Sequence, residues 1–490
     1  MAISPRSLKT RPGFVLRFGH FCAPRVFIPS NPGMKDTEVG TAIEDILRQM
    51  SENAPRCAKI GVFDIDGIFR GKYLSADKLH SAFDQGFAFC DVVFGWDSSD
   101  QLIDGLKFTG WHTAYPDATG RLLPETMRTM PFEGGIPLIL GEFTGRAEAV
   151  CPRGILRRVL DRAASAACKV KAAAEFEFFI FDETPQSVRD KGYRSLKPIT
   201  PGNFGYSMLR SGVHSEFYQE LWSVCEEMRI EIEALHTETG PGVLEAAIRV
   251  DDALEAADKA ALFKTIVKIL CQRRGWMATF MAKWSPDWPG QSGHLHMSLL
   301  DRDSGESLFF EEGAPHSMSE RMRWFVGGQQ ALMPEVLAMI SPTINSFSRL
   351  VPGFWAPTAA TWGFENRTCA LRVIGGSEKS QRVEYRVAAA DINPYLALAA
   401  AIGSGLWGIE HQIEPDEPIV GNAYEKQAES GRSLPSTLWD AAQNLRGSAA
   451  ARDLFGDEFV EHYAATREWE EREARKAVTD WQLARYFEII

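Results

Sequence analysis

The residues of this chain most able to do chemistry lie in short segments with strand character. In "KAAAEFEFFIFD" (171–182), a period of two puts Glu175, Glu177, Phe179 and Phe181 on one face and Ala174, Phe176, Phe178 and Ile180 on the other. Both faces turn apolar further along, which predicts a strand buried on both sides. Two carboxylates entering that setting side by side repel each other and lose hydration, a cost of several kcal/mol that a cation would relieve. The alternative is an exposed strand end with solvated glutamates.

"IEIEALHTETGPGVLEAAIRV" (230–250) reads as a hairpin with Thr239-Gly240-Pro241-Gly242 as its turn, Glu238 just before and Glu245 just after. Folding back brings these acids to one end of a sheet, where they share a cation or stay solvated. "QSGHLHMSLL" (291–300) sets His294 and His296 on one strand face, with Ser298 following, as ligands or as structural histidines. "QRVEYRVAAADINPYLALAAA" (381–401) alternates so that Arg382, Glu384 and Arg386 share a face, which is costly unless each charge has a partner. Between these segments, "NSFSRL" and "WGFENRTCALRV" add Arg349, Arg367 and Arg372.

The inventory is thus five carboxylates, one or two imidazoles and five arginines on strands or adjoining loops. Oxygen-rich ligation favours Mg²⁺ or Mn²⁺ over Zn²⁺. Two such cations with several arginines make an anion-handling site, and phosphoryl transfer needs that positioning and charge neutralisation. No GxxxxGK[ST] occurs, and neither a P-loop nor a Rossmann turn is expected to hold a nucleotide.

The elements that carry these segments can be read more coarsely. A chain of 490 residues exceeds one ordinary core, and its 45% apolar and 24% charged content is that of a globular protein. A net charge of −12 argues against nucleic-acid or anionic-membrane partners. No apolar run approaches the roughly 20 residues that span a bilayer. Eight cysteines without a CxxC pair read as reduced thiols in a cytoplasmic protein. Residues 1–35 are basic and acid-free, an extension that is either a transit peptide or a strap, with Met34 a candidate start. The spacing predicts a helix over 36–50 and two strands around the Asp64–Gly67 turn. Further strands run to "PLILGEFT", and "CPRGILRRVLDRAASAACKV" reads as a helix with Pro152 in its first turn. The fold class is α+β: the extension (1–35), a small β-rich N-terminal domain (36–147) and a large α+β domain (148–490) whose last third is mostly helical.

In this order, E-F-E, H-T-E-(x6)-E, S-G-H-L-H-M-S, N-S-F-S-R-L-V-P-G, N-R-T-C-A-L-R and R-V-E-Y-R with N-P-Y-L-A-L-A resemble the glutamine synthetase family from about residue 40 onward. The resemblance implies a β-grasp N-terminal domain and a catalytic domain with an antiparallel sheet lining the active site. It implies ATP-dependent joining of glutamate's γ-carboxylate to a nitrogen nucleophile through γ-glutamyl phosphate, with two or more Mg²⁺ or Mn²⁺ ions per site. By motif position, Glu177, Glu238 and Glu245 would ligate one metal, and Glu175, His294 and Glu384 the other. His296, Ser298, Arg372 and Arg382 match ATP positions; Gly290, Arg349 and Arg386 match glutamate positions. Arg367 and Arg349 match catalytic ones, Arg367 on the transferred phosphate. The family also implies a homo-oligomeric ring, a dodecamer of stacked hexamers, with active sites between subunits.

One loop departs from the family. "VPGFWAP" (351–357) has Trp355 where ammonium-using members carry the glutamate of V-P-G-Y-E-A-P, which closes the site and helps deprotonate ammonium. Tryptophan accepts no proton and offers an apolar face with one N–H donor. The segment "FGWDSS" (94–99), near the acidic ammonium pocket, is altered too. The expectation is a γ-glutamyl-amine ligase with Trp355 lining the pocket of a monoamine or aromatic amine. The alternatives are an ordinary ammonium-using enzyme whose Trp355 packs the loop shut, or a structural ring protein without catalysis.

Overall fold

The structure, a computed structural model, describes residues 56–490 except 352, 354 and 427–431, together with residues 40, 43, 44, 46, 48 and 50. The extension expected over 1–35 lies outside the described residues. Within the helix expected over 36–50, the described positions are helical, and Ile46 and Met50 are buried.

Five strands form the first sheet: β1 (Cys57–Phe63), β2 (Phe69–Ser75), β3 (Phe87–Cys90), β4 (Asp117–Thr129) and β5 (Pro137–Phe143), in the order β2-β1-β5-β4-β3. The β1–β2 turn is the expected one. Asp64 accepts from the backbone N–H groups of Asp66 and Ile68, and Gly67 takes φ 75°, where a Cβ would sit 3.1 Å from Asn393 Cα. Helix Ala76–Gln85 packs Leu79 and Ala82 against Ile60, Val62 and Phe143 in a core on one side of this sheet. Phe63, Leu123 and Leu140, on the other side, belong to the large core of the remaining chain.

The second sheet has nine strands: β6 (Cys168–Phe181), β7 (Ile232–Thr237), β8 (Val243–Ile248), β9 (Asp251–Asp252), β10 (Met277–Thr279), β11 (Gly293–Asp301), β12 (Trp362–Phe364), β13 (Leu371–Ile374) and β14 (Arg382–Tyr385). Its order is β12-β13-β14-β11-β6-β8-β7, with β9 and β10 also on β6, and only β12–β13 is parallel. As expected, β6 is buried on both faces. Phe176 and Phe178 stack with Phe263 and Phe280 in the main core, while Phe179 and Phe181 meet Trp284 on the other side. The sheet therefore has an apolar back and a front whose far end is apolar. Only the central stretch of that front is left for charge.

One sequence expectation needs correction. The helix read across 151–170 ends at Ser165; Ala167 takes φ 56°, and Cys168-Lys169-Val170 instead pair with Asp301-Leu300-Leu299. The string "GSGLWG" (403–408) formally matches GxGxxG, but it lies inside helix Pro394–Glu410. There Gly405 and Gly408 admit close packing of Phe325 and Trp324, so it makes no nucleotide-binding turn. No helix among the described residues is long and apolar enough to cross a membrane.

Candidate active site

Strand register assembles the site. Glu177 on β6 lies opposite Glu245 on β8, which lies opposite His236 on β7. Glu175 on β6 lies opposite His294 on β11; His296 lies opposite Glu384 on β14, and Glu384 opposite Arg372 on β13. With a period of two, these side chains share one sheet face. That face borders a cavity of about 540 Å³, whose wall also takes in Glu238, Gly290, Arg367, Arg382, Arg386 and Trp355.

Two residues expected at the site do not border the cavity. Ser298 lies further along β11, opposite Lys171. Arg349 is buried beneath the floor, donating to the carbonyls of Val387 (2.7 Å) and Arg386 (3.1 Å) and to Ser292 Oγ (2.9 Å). Burial pulls its pKa down to about 10. Arg349 thus supports Ser292 and Arg386, which do border the cavity. The stem of Arg349 passes under Gly290, where a Cβ would come within 2.6 Å of its Cγ.

The carboxylates fall into two groups whose donor atoms lie within 4.8 Å of one another: Glu175-His294-Glu384 and His236-Glu238-Glu245. The first is the expected trio. His294 Nδ1 lies 3.4 Å from Glu175 and 3.5 Å from Glu384, and His296 Nε2 lies 3.2 Å from Glu175. Although burial pushes Glu175 upward, His294 and His296 hold it well below the usual carboxylate range. Glu384 is bracketed by Arg386 and by Arg372 at 3.0 Å. Against its burial, His294 and Arg386 keep its pKa near 2.

The second group differs from expectation, because His236 stands in it where Glu177 was expected. Glu177 Oε2 accepts from the backbone N–H of Ser292 at 2.6 Å, and burial, with Glu245 adding to it, pushes the Glu177 pKa up. His236 Nε2 is 3.3 Å from Glu245 and its Nδ1 3.8 Å from Glu238; the bond to Glu245 raises its pKa. The ring of Tyr206 lies over His236 at 4.5 Å, held by its backbone N–H on the Thr237 carbonyl. Sequence reading passed over His236 and Tyr206. His236 had a signal, since it is two residues from Glu238 and so on the same strand face. Tyr206 had none, because it comes from a loop without periodicity.

Oxygen donors from five glutamates, with imidazole nitrogens turned toward them, fit two divalent cations of the Mg²⁺ or Mn²⁺ type. Without such charge, three glutamates and the Glu175–Glu384 pair would share one space largely screened from water. Of the arginines, Arg372 and Arg386 contact Glu384, Arg382 donates to His296 Nδ1 at 3.3 Å, and the Arg367 carbonyl accepts from Arg386 at 3.1 Å. The arrangement is suited to gripping polyanions through bidentate contacts.

Trp355 stands at the lip, 59% exposed, with φ 57°. Asp97 of "FGWDSS" does not border the cavity; its carboxylate accepts from the backbone N–H groups of Ser99 and Gln101, each at 2.8 Å, and closes a turn.

Residues 149–486 match the glutamine synthetase catalytic-domain model. The chain is 42% identical to type-1 glutamine synthetase 2 of Dictyostelium discoideum over 461 residues, 93% of this chain and 88% of that protein. It is 39% identical to a glutamate–isopropylamine ligase of a Pseudomonas species over 438 residues, 88% and 95% of the two chains. A solved GmaS–ADP complex has the same fold, with a TM-score of 0.79 at 24% identity over 91% of this chain and 99% of that one. With the motifs in order, their side chains on one sheet face and the catalytic-domain match over most of its length, the chain belongs to the glutamine synthetase family of ATP-dependent carbon–nitrogen ligases.

Proposed function

We propose that this protein joins the γ-carboxylate of glutamate to an organic amine, a monoamine or an aromatic amine, using ATP. One observation carries the choice of amine: the lip of the cavity presents Trp355, an indole, where binding of a small cation calls for a carboxylate. Identity alone does not decide, because the relatives compared include both a glutamine synthetase and an isopropylamine ligase at nearly equal identity.

Glu175, His294 and Glu384 would hold one divalent cation, and Glu238, Glu245 and Glu177 the other, with His236 beside them. Bound there, Mg²⁺ or Mn²⁺ neutralises phosphate charge. Arg372, Arg382 and His296 grip ATP. Arg386, with Ser292 and Gly290, receives glutamate so that a γ-carboxylate oxygen attacks the γ-phosphorus and ADP leaves. Arg367 then steadies the phosphate of the acyl phosphate. The amine nitrogen attacks the γ-carbonyl carbon, the C–O bond to phosphate breaks, and one proton is lost from nitrogen. Indole cannot take that proton, so a weakly basic amine such as an aniline, already neutral at pH 7, suits the site best.

The reading includes a homo-oligomeric ring with sites between subunits. Exposed Trp111, Met208, Phe487 and Ile490 offer apolar surface for such contacts. A catalytically silent ring protein is disfavoured, since all six expected ligand positions keep their ligand residues.

The test is phosphate release from ATP with glutamate and Mg²⁺ across ammonium, ethylamine, putrescine and aniline. Turnover with an organic monoamine or aniline well above ammonium is the expected result. Efficient turnover with ammonium alone would leave an ordinary glutamine synthetase with an unusual loop.

A further inference from the structure

Three residues other than glycine that border or adjoin the cavity adopt left-handed backbone: Tyr206 (φ 54°), Trp355 (φ 57°) and Glu365 (φ 50°). Tyr206 and Trp355 line the cavity itself. Glu365 does not, and it belongs to neither carboxylate group. A glutamate gains nothing from this conformation that glycine would not supply with less strain. Its backbone is nonetheless firmly held. Its N–H donates to Val373 O at 2.9 Å, and the next residue, Asn366, donates to the carbonyls of Ile419 (3.0 Å) and Gly421 (2.8 Å).

The side chain shows what is being held. Glu365 Oε2 accepts from Arg372 Nη2 at 2.5 Å and from Nε at 3.2 Å, while Arg372 Nη1 donates to Glu384 Oε2 at 3.0 Å. A guanidinium has five N–H donors in one plane. Three are engaged by these two carboxylates, leaving one on each terminal nitrogen for a ligand. Because Glu365 and Glu384 grip different edges, the plane of Arg372 is fixed rather than free to swing. Glu384 is also a candidate metal ligand, whereas Glu365 stands outside both metal groups.

We propose that Glu365 is a positioning residue for nucleotide binding: it fixes the guanidinium plane of Arg372 so that the two remaining N–H donors meet the ATP phosphates. The proposal rests on the nucleotide-side reading of Arg372. A preset arginine loses less freedom when ATP binds, so its loss is felt as weaker ATP binding rather than slower chemistry.

The test measures KM for ATP, KM for glutamate, kcat and melting temperature for Glu365→Gln, Glu365→Gly, Arg372→Lys and the double variant Glu365→Gln/Arg372→Lys. Glu365→Gln and Glu365→Gly are expected to raise KM for ATP about three- to tenfold, with kcat and KM for glutamate within about twofold. Glu365→Gly should melt no lower than the parent, because glycine relieves the left-handed backbone. In the Arg372→Lys background, Glu365→Gln should add little. If Glu365→Gly leaves KM for ATP unchanged while Arg372→Lys raises it, Glu365 serves only the turn and the proposal falls, with the nucleotide-side reading intact. If Arg372→Lys itself leaves KM for ATP unchanged, both fall.

Discussion

Glu177 and Glu245 face each other directly across β6 and β8, two acids in register on neighbouring strands. Burial, with Glu245 adding to it, raises the pKa of Glu177. The folded chain therefore holds that proton more tightly than the unfolded one and loses stability as pH rises from the ordinary glutamate pKa through the raised one. Glu177→Gln keeps an acceptor for the Ser292 N–H and removes the charge. In EDTA at pH 7 this variant should be more stable than the parent by about 1 kcal/mol. The parent's gain in melting temperature with Mn²⁺ should be smaller in it, the Glu175-His294-Glu384 site remaining intact. Thermal melts with and without MnCl₂ check both, and a variant that keeps the full Mn²⁺ gain would remove Glu177 from the metal site.

Trp355→Glu restores a carboxylate at the lip. It should lower the ratio of kcat/KM for an organic amine to that for ammonium by at least about tenfold, equivalent to about 1.4 kcal/mol of discrimination. Trp355→Phe keeps an apolar wall and should leave the ratio within a few-fold. Competition assays with paired amines read the ratio directly.

Gly290 matters for the room it leaves. A Cβ there would lie 2.6 Å from Arg349 Cγ and 2.8 Å from the Ala282 carbonyl. Gly290→Ala should therefore displace Arg349 and, through it, Ser292 and Arg386. We expect a loss of roughly 1–3 kcal/mol of stability and a rise of at least about tenfold in KM for glutamate, with KM for ATP little changed. Calorimetry and steady-state kinetics separate the two effects.

His462 lies buried in helix Asp457–Ala474 with its ring edge-on to Phe108 at 5.6 Å, and burial holds its pKa near 4. A histidine lowered in the folded state is protonated first in the unfolded chain. Stability is therefore complete above pH 6.5 and falls as pH drops toward 4, by at most about 1.4 kcal/mol per pH unit. His462→Phe should flatten that slope. Urea midpoints measured from pH 7 to pH 4.5 would show it, and an unchanged slope would assign the acid sensitivity to other groups.

Much of the site could be read from the chain because its chemistry sits on strands. A period of two told which of Glu175, Phe176, Glu177 and Phe178 share a face, and the Gly240-Pro241-Gly242 turn told that Glu238 and Glu245 fold back together. Where periodicity was missing, reading failed. Tyr206 comes from an irregular loop. Arg349 sits at the last turn of helix Ile344–Arg349, where its motif marks it as a site residue but not whether its guanidinium faces the cavity or the carbonyls beneath it.

By itself the sequence determined the fold class, the strands that carry charge, the family and the residue types available for two cations, ATP and glutamate. These follow from local alternation, turn chemistry and ordered motifs, which need no knowledge of distant neighbours. Only the tertiary structure decided that His236 joins Glu238 and Glu245, that Arg349 lies under the floor, and that Glu365 holds Arg372. The first follows the register of β7 against β8, the second the seating of helix Ile344–Arg349 beneath Ser292 and Val387, and the third the pairing of β12 with β13. The rest of the site follows the register of β6 against β8 and β11, strands far apart in the chain. The register of β6 is set by packing of the apolar back of the sheet, and a one-residue slip of β6 would have turned Glu175 and Glu177 into the core.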